Sequence, residues 1–248
     1  MPFLNKDERG YWHLKEEKGG KVRYLKYIGK DPSSYYASLK KGAEILEAIK
    51  RYPDLATRGN GQVILAEYKR RVLVKQAVPD KQYKAIVIDP PWPMEKIERE
   101  ARPNQYDMDY AIMSIEEIKG ITLPSDPAGT HVYLWTTQRF LPAAFDVLIA
   151  WGVRYECLLT WVKNVGFTPF SFMYSTEHCL FGRCGSLPLL KKGVRLDFNA
   201  KVRGHSRKPE EFYGLVTAVS PGPRLDMFSR EPHEGFEQYG NEVGKFGV

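Results

Sequence analysis

Short apolar runs alternate with helix-length amphipathic stretches along the C-terminal two thirds of the chain. Ala85-Ile86-Val87-Ile88, Val132-Tyr133-Leu134-Trp135, Leu158-Leu159-Thr160-Trp161-Val162 and Leu225-Asp226-Met227-Phe228 have the length and the β-branched and aromatic content of buried strands. Between them, Phe140–Ala150 and Pro209–Val219 predict helices, the second opened by Ser206 or Arg207 and carrying Glu210 and Glu211 in its first turn. This alternation predicts an α/β fold, an open and mainly parallel sheet with helices on both faces. Such sheets bind ligands at the carboxyl ends of their strands, which directs attention to the residues after Ile88 and around Phe228.

The N-terminal part has a different pattern. Tyr11-Trp12-His13-Leu14-Lys15 and Val22-Arg23-Tyr24-Leu25-Lys26-Tyr27-Ile28 alternate apolar with basic residues, and Lys18-Gly19-Gly20-Lys21 between them reads as a turn, so a β-hairpin is expected. Two readings of it stand. Trp12, Leu14, Val22 and Tyr24 are either exposed, on a basic ribbon that lies in a groove or stacks on bases, or they are the core of a small capping hairpin. Leu39, Ala43, Leu46 and Ile49 then predict a helix over Tyr36–Arg51 that stops at Pro53. Gly59-Asn60-Gly61 marks a loop, within a soft boundary between residues 55 and 80. We expect a basic extension over residues 1–60 and a catalytic domain over 61–248.

Charge sharpens this division. Of the net charge of +7, residues 1–80 carry the whole excess, with 17 Lys and Arg against 10 Asp and Glu, while residues 81–248 hold 20 of each. An asymmetry of this kind suits a polyanion such as nucleic acid, and Lys15, Lys21, Arg23, Lys26 and Lys30 are the candidate contacts. The three cysteines, Cys157, Cys179 and Cys184, are too few for a disulfide framework or a zinc site. A reducing compartment is expected, and no structural metal. The longest apolar stretch, around Ala143 to Trp151, is interrupted by Asp146, so no membrane span is expected.

Candidate chemistry follows the first buried strand. Asp89-Pro90-Pro91-Trp92 sets a carboxylate on a rigid double-proline turn with an aromatic ring behind it. The carboxylate and a proline carbonyl can accept the two hydrogens of an exocyclic aromatic amine. Those bonds draw its nitrogen toward tetrahedral geometry, from which it can attack an electrophilic methyl group. No Gly-x-Gly-x-x-Gly turn precedes this strand, so a cofactor loop must lie elsewhere.

Over residues 83–243 the sequence resembles the MT-A family of S-adenosylmethionine-dependent adenine N-6 methyltransferases, which includes the catalytic subunit of the messenger-RNA adenosine methyltransferase. Besides Asp89-Pro90-Pro91-Trp92, the resemblance rests on Tyr110-Ala111-Ile112-Met113-Ser114, Leu134-Trp135-Thr136-Thr137, Trp161-Val162-Lys163 and Glu177-His178-Cys179-Leu180. It continues through His205-Ser206-Arg207-Lys208-Pro209, Phe228-Ser229-Arg230-Glu231-Pro232-His233 and Tyr239-Gly240-Asn241-Glu242, in the family's order. It implies a permuted Rossmann-like fold whose catalytic strand comes first and whose cofactor strand, Leu225 to Phe228, comes near the end. Asp89 and the Pro90 carbonyl would orient the amine, with Pro91 and Trp92 against the base. Lys208 would bind the methionine carboxylate of S-adenosylmethionine. Arg230, His233, Asn241 and Glu242 would hold the ribose and neighbouring groups, and Asp89, Ser206 and Phe228 complete the implied cofactor site. Glu234 stands where an asparagine is frequent. Tyr110, Trp135, Lys163 and Glu177 are the implied substrate contacts.

The expected activity is N-6 methylation of adenine in DNA by a compact, prokaryotic or phage-like member. RNA is the alternative substrate, and a catalytically silent nucleic-acid-binding subunit is the alternative role. Cytosine N-4 methylation uses a similar acidic diproline loop, but the downstream blocks favour adenine. Homo- or heterodimers are known among such proteins. A cytoplasmic location is expected for a prokaryotic or phage protein, and a nuclear one for a eukaryotic protein.

Overall fold

The computed structural model describes residues 2–29, 33–57, 61–75, 79–93, 112–164, 172–203, 207–240 and 242–246. The chain divides into two compact units, Met1–Tyr68 and Lys69–Val248. Among the described residues no helix is long and apolar enough to cross a membrane.

In the smaller unit, β1 (Pro2–Lys6), β2 (Trp12–Lys18) and β3 (Lys21–Gly29) form an antiparallel sheet in that order. Gly19 and Gly20 make the expected turn, with Lys18 opposite Lys21. β1 extends the expected hairpin to three strands. Its five residues are too few to show alternation, and cross-strand pairing such as Leu4 with Leu14 places it. Lys21, Val22, Arg23 and Tyr24 are exposed, Val22 and Tyr24 by 58% and 54%, so these two are not core. Lys15 is half-buried and its Nζ donates to Asn5 Oδ1 at 2.9 Å. The side chains of Trp12, Leu14 and Lys26, and the whole of Lys30, lie outside the described residues.

Helix α1 (Ser33–Arg51) covers the predicted segment and ends before Pro53, where a short 3-10 turn, Pro53–Thr57, begins. A further helix, α2 (Gly61–Lys75), occupies what the sequence marked only as a soft boundary. Its β-branched Val63, Ile64, Val72 and Val74 weaken the helical signal. Ala48, Leu55 and Ile64 form the small core, with Tyr52 and Tyr68 meeting edge to face at 6.0 Å.

The larger unit is built on a seven-stranded sheet. Its strands are β4 (Ala85–Ile88), β5 (Gly129–Thr136), β6 (Arg154–Lys163), β7 (Thr176–Gly185), β8 (Asp197–Ala200), β9 (Arg224–Met227) and β10 (Glu237–Tyr239). They are arranged in the order β10-β9-β4-β5-β7-β6-β8. Four of the neighbouring pairs are parallel, and β7 runs antiparallel to both β5 and β6. Helices α3 (Ile115–Lys119), α4 (Leu141–Ala150) and α5 (Glu210–Val219) flank the sheet.

Every residue of β4 and β5 is buried, as expected of strands covered on both faces. Because successive side chains point to opposite faces, Ile86, Ile88, Val132 and Leu134 join Ile118 of α3 and Ala144, Val147 and Leu148 of α4 in one core. Val87, Tyr133 and Trp135 join Phe212, Tyr213 and Val216 of α5 in the other. Two boundaries differ from expectation. α5 starts after Pro209, whose extended φ of −74° and ψ of 147° make it the N-cap in place of Ser206 or Arg207. β9 ends at Met227, because Phe228 adopts φ +64° and cannot continue a strand.

The β6–β7 pairing slips at a bulge between Tyr155 and Cys157. There a Cβ on Gly182 would stand 2.6 Å from Val153 Cγ1 and 2.8 Å from the Arg154 carbonyl. Gly182→Ala therefore has to push strand backbone aside. Urea unfolding is expected to show a loss of about 1–3 kcal/mol, in the range of overpacked cores. An unchanged midpoint would mean that the bulge yields freely.

Candidate active site

The carboxyl end of β4 delivers Asp89, and its backbone N–H donates to Met227 O of β9 at 3.4 Å. Trp92 N–H folds back onto the Pro90 carbonyl at 2.8 Å, and Met113 N–H donates to the Pro91 carbonyl at 2.8 Å. One lone pair of the Pro90 carbonyl is therefore in use, and the second is left for a ligand. Trp92 differs from expectation. It is only 6% exposed, its ring stacks on Phe140 with centroids 5.5 Å apart, and its Nε1 donates to Trp135 O at 3.0 Å. The indole thus anchors the loop to the core, instead of offering the open flat surface the sequence suggested for a base.

Beside Asp89 a row of alternating charges crosses the end of the sheet. Lys208 Nζ lies 3.0 Å from Asp89 Oδ2 and also pairs with Glu177 Oε1; Glu177 Oε2 in turn accepts from Lys163 Nζ at 3.2 Å. Both ammonium groups rest on indoles, Lys208 4.8 Å from the Trp135 ring centroid and Lys163 5.4 Å from that of Trp161. These two indoles meet edge to face at 6.3 Å. Asp89, Trp135, Glu177 and Lys163 come from or follow four consecutive strands, β4, β5, β7 and β6. Lys208 enters from the segment before α5, and its carbonyl accepts from Arg203 Nη2 at 2.5 Å.

The row is largely shielded from water. Lys208 is 9% exposed, against 31% for the Asp89 side chain. Burial raises the Asp89 carboxyl above its ordinary range, although Lys208 opposes this. Burial also works against an ionised Glu177, but Lys208 and Lys163 overcome it and hold that carboxyl below its ordinary value. Lys208 is pushed the other way by its two carboxylate partners, well above the ordinary lysine range despite its burial.

A second group of residues follows β9. Phe228 N–H donates to Tyr239 O at 2.6 Å, and Gly240 packs against the same residue, where a Cβ would stand 3.0 Å from Phe228 Cα. Arg230 Nε pairs with Glu242 Oε2 at 2.6 Å, so these two expected cofactor contacts neutralise each other. His233 is buried, its ring stacked flat on Tyr213 with centroids 3.4 Å apart and its Nδ1 3.1 Å from Glu210 Oε1. Arg203 bridges Glu210 and Glu231 at 3.2 and 3.1 Å.

The structure thus brings Asp89, Trp135, Lys163, Glu177 and Lys208 into one row. Phe228, Arg230, His233 and Glu242 lie on the segment that follows β9. Tyr110, Ser206 and Asn241 lie outside the described residues. Sequence reasoning missed Arg203, Phe140, Tyr213 and Asp226. Only Asp226 gave a signal, as an acidic residue inside an otherwise apolar strand.

The family model MT-A70 matches residues 83–242. An N(6)-adenosine-methyltransferase MT-A70-like protein of Drosophila melanogaster is 30% identical over 162 residues, 61% of this chain and 25% of that protein. The human N(6)-adenosine-methyltransferase catalytic subunit METTL3 is 27% identical over 162 residues, 61% of this chain and 26% of its own. The mouse N(6)-adenine-specific methyltransferase METTL4 is 28% identical over 188 residues, 67% and 38% of the two chains. The chain thus spans between a quarter and two fifths of the length of these relatives.

Glu177→Gln leaves both lysines without their shared anion. Unfolding in urea at pH 7 is expected to lose about 2–3 kcal/mol, toward the lower end for a broken buried pair. Glu177 ionises more readily in the folded chain, so its contribution is complete above the ordinary glutamate value of 4.5. It is lost as the pH falls through the lower folded value. The stability gap between wild type and variant should therefore close on acidification, and a gap independent of pH would contradict the assigned ion pairs.

Proposed function

Because the chain belongs to the MT-A70 family, we propose that it transfers a methyl group from S-adenosylmethionine to the N-6 amine of adenine in nucleic acid. The Asp89–Lys208 pair at the carboxyl end of β4 carries this reading. A buried cation and a partly exposed carboxylate 3.0 Å apart complement the carboxylate and ammonium of the cofactor's amino-acid end. Trp135, under Lys208, also has a buried Nε1 with no acceptor among the described residues, a polar vacancy that a bound ligand would suit. The residues present therefore fit the cofactor. When bound, it would supply an electrophilic sulfonium methyl for the amine nitrogen, with sulfur as the leaving group.

The chain's own residues supply position and electrostatics. Asp89 accepts one amine hydrogen, and the second lone pair of the Pro90 carbonyl accepts the other. The two bonds turn the nitrogen lone pair out of the ring plane. Lys208 holds Asp89 in place and balances its charge, while Glu177 and Lys163 hold Lys208. After transfer the methylated nitrogen carries an extra proton. The Asp89 carboxylate, less acidic than in water, is placed to take it.

DNA is the substrate we assign, supported by the exposed Lys21 and Arg23 of the N-terminal sheet. RNA is the second reading, favoured by relatives named adenosine methyltransferases. In a duplex the adenine must leave the stack, which costs a few kcal/mol and favours single-stranded or distorted sites. Labelled S-adenosylmethionine offered with matched DNA and RNA strands, single and double, tests the proposal through nucleoside mass analysis. Methyladenine in DNA is expected, reduced about 100-fold or more in Asp89→Ala. Label in RNA alone would move the substrate assignment. Bound cofactor without transfer to any adenine would remove catalysis from this chain acting alone.

A further inference from the structure

Asp226 is the one acidic residue of β9 and is 2% exposed. It lies opposite Val87, two residues before Asp89 in the neighbouring strand. Its Oδ2 accepts the hydroxyl of Tyr213, on α5, at 2.8 Å. The Tyr213 ring is itself buried, lies within 15° of parallel to His233, and is braced edge-on by Phe236 at 5.2 Å. A strand carboxylate, a helix phenol and a loop imidazole are thus fixed in series. A buried carboxylate at this point costs stability that an apolar residue would not. Its hydrogen bond does not repair the sheet; it fixes the ring on which His233 lies.

We infer that Asp226 and Tyr213 are positioning residues, which set the plane of His233 and thereby the affinity of the loop after β9 for S-adenosylmethionine. The inference rests on the proposed cofactor and on the contact with His233 that the family resemblance implies. The groups around Asp226 are Tyr213 on α5, Ser229 after β9, Asp89 after β4 and Lys208 before α5. Burial raises the Asp226 carboxyl to about 7, and Asp89 adds to this against the hydrogen bonds of Tyr213 and Ser229 and the charge of Lys208. The ionised form accepts the stronger, charge-assisted bond from Tyr213. Affinity for the cofactor should therefore rise as the pH passes upward through 7. Stability should move the opposite way. A carboxyl whose folded value is raised favours the fold at low pH, and that advantage is lost as the pH climbs from the ordinary 3.8 to about 7.

The test uses the full chain and the variants Asp226→Asn and Tyr213→Phe. Calorimetric titration with S-adenosylmethionine at pH 6 and pH 8 reads affinity, thermal melts at pH 5 and pH 8 read stability, and the imidazole proton resonances of His233 in the free protein read its stacking. Both variants are expected to bind about tenfold more weakly at pH 8, and the Asn variant should lose the pH dependence that wild type shows beyond it. Relative to wild type, Asp226→Asn should melt at a higher temperature at pH 8 than at pH 5. The His233 resonances should move toward unstacked values in both variants. A purely structural role would instead weaken melting and binding together. Affinity unchanged in both variants, or His233 resonances left in place, would overturn the inference. Absence of cofactor binding by wild type would refute the proposed function instead, and the His233 resonances would still decide whether Asp226 and Tyr213 position that ring.

Discussion

The ion pair between Asp89 and Lys208 is the constraint to which the larger unit is fitted. Neither charge is stable in an apolar interior alone, so each needs partners held at fixed places. Those partners come from four strands whose order in the sheet differs from their order in the chain. β4 supplies Asp89, β5 the indole under Lys208, β7 the second carboxylate and β6 the second lysine. With strands about 4.8 Å apart, a row across four of them matches the reach of alternating lysine and carboxylate side chains. The two large cores keep these strands in place, while the charge row lies beyond their ends and is still largely shielded from water.

Much of this was legible in the sequence, because the strongest signals are the most buried ones. β4 is an unbroken apolar run, Val132–Trp135 of β5 and Leu158–Val162 of β6 are predominantly apolar, and α4 and α5 have helical periodicity, so the α/β class followed directly. The Asp89-Pro90-Pro91-Trp92 turn was visible because an acid and two prolines are common at a strand end, whereas the four residues together after an apolar strand are rare. What was not legible is what three-dimensional pairing creates. β1, β8 and β10 are too short for a pattern. β7 was quoted only as a block of residues, and its antiparallel direction has no local signature. Trp92 departs from expectation because a sequence shows an aromatic beside an acid, but not that one of its faces is covered by Phe140.

The residues after β9 depart from local preference at several places. Phe228 sits in a left-handed conformation that a β-carbon disfavours, and Gly240 has to be without one for the two chains to approach. A carboxylate is buried beneath them in Asp226. None of these choices is the most stable one for its place. Together they form a region where local preference and global fold disagree, as is common where a protein holds a small molecule.

The reversed strand has one more consequence. Because β7 runs against β6, the two leave and re-enter the sheet side by side, with Val162 opposite Thr176 and Lys163 N–H bonded to Ser175 O at 2.7 Å. The facing ends of the two strands are therefore held together directly beside Lys163 and Glu177. Closing a longer loop over such a base costs little, roughly 0.6 kcal/mol per doubling of its length. The connection between these two strand ends can therefore change in length while their pairing persists. The connection between two neighbouring strands can thus diversify in evolution over unchanged strand ends.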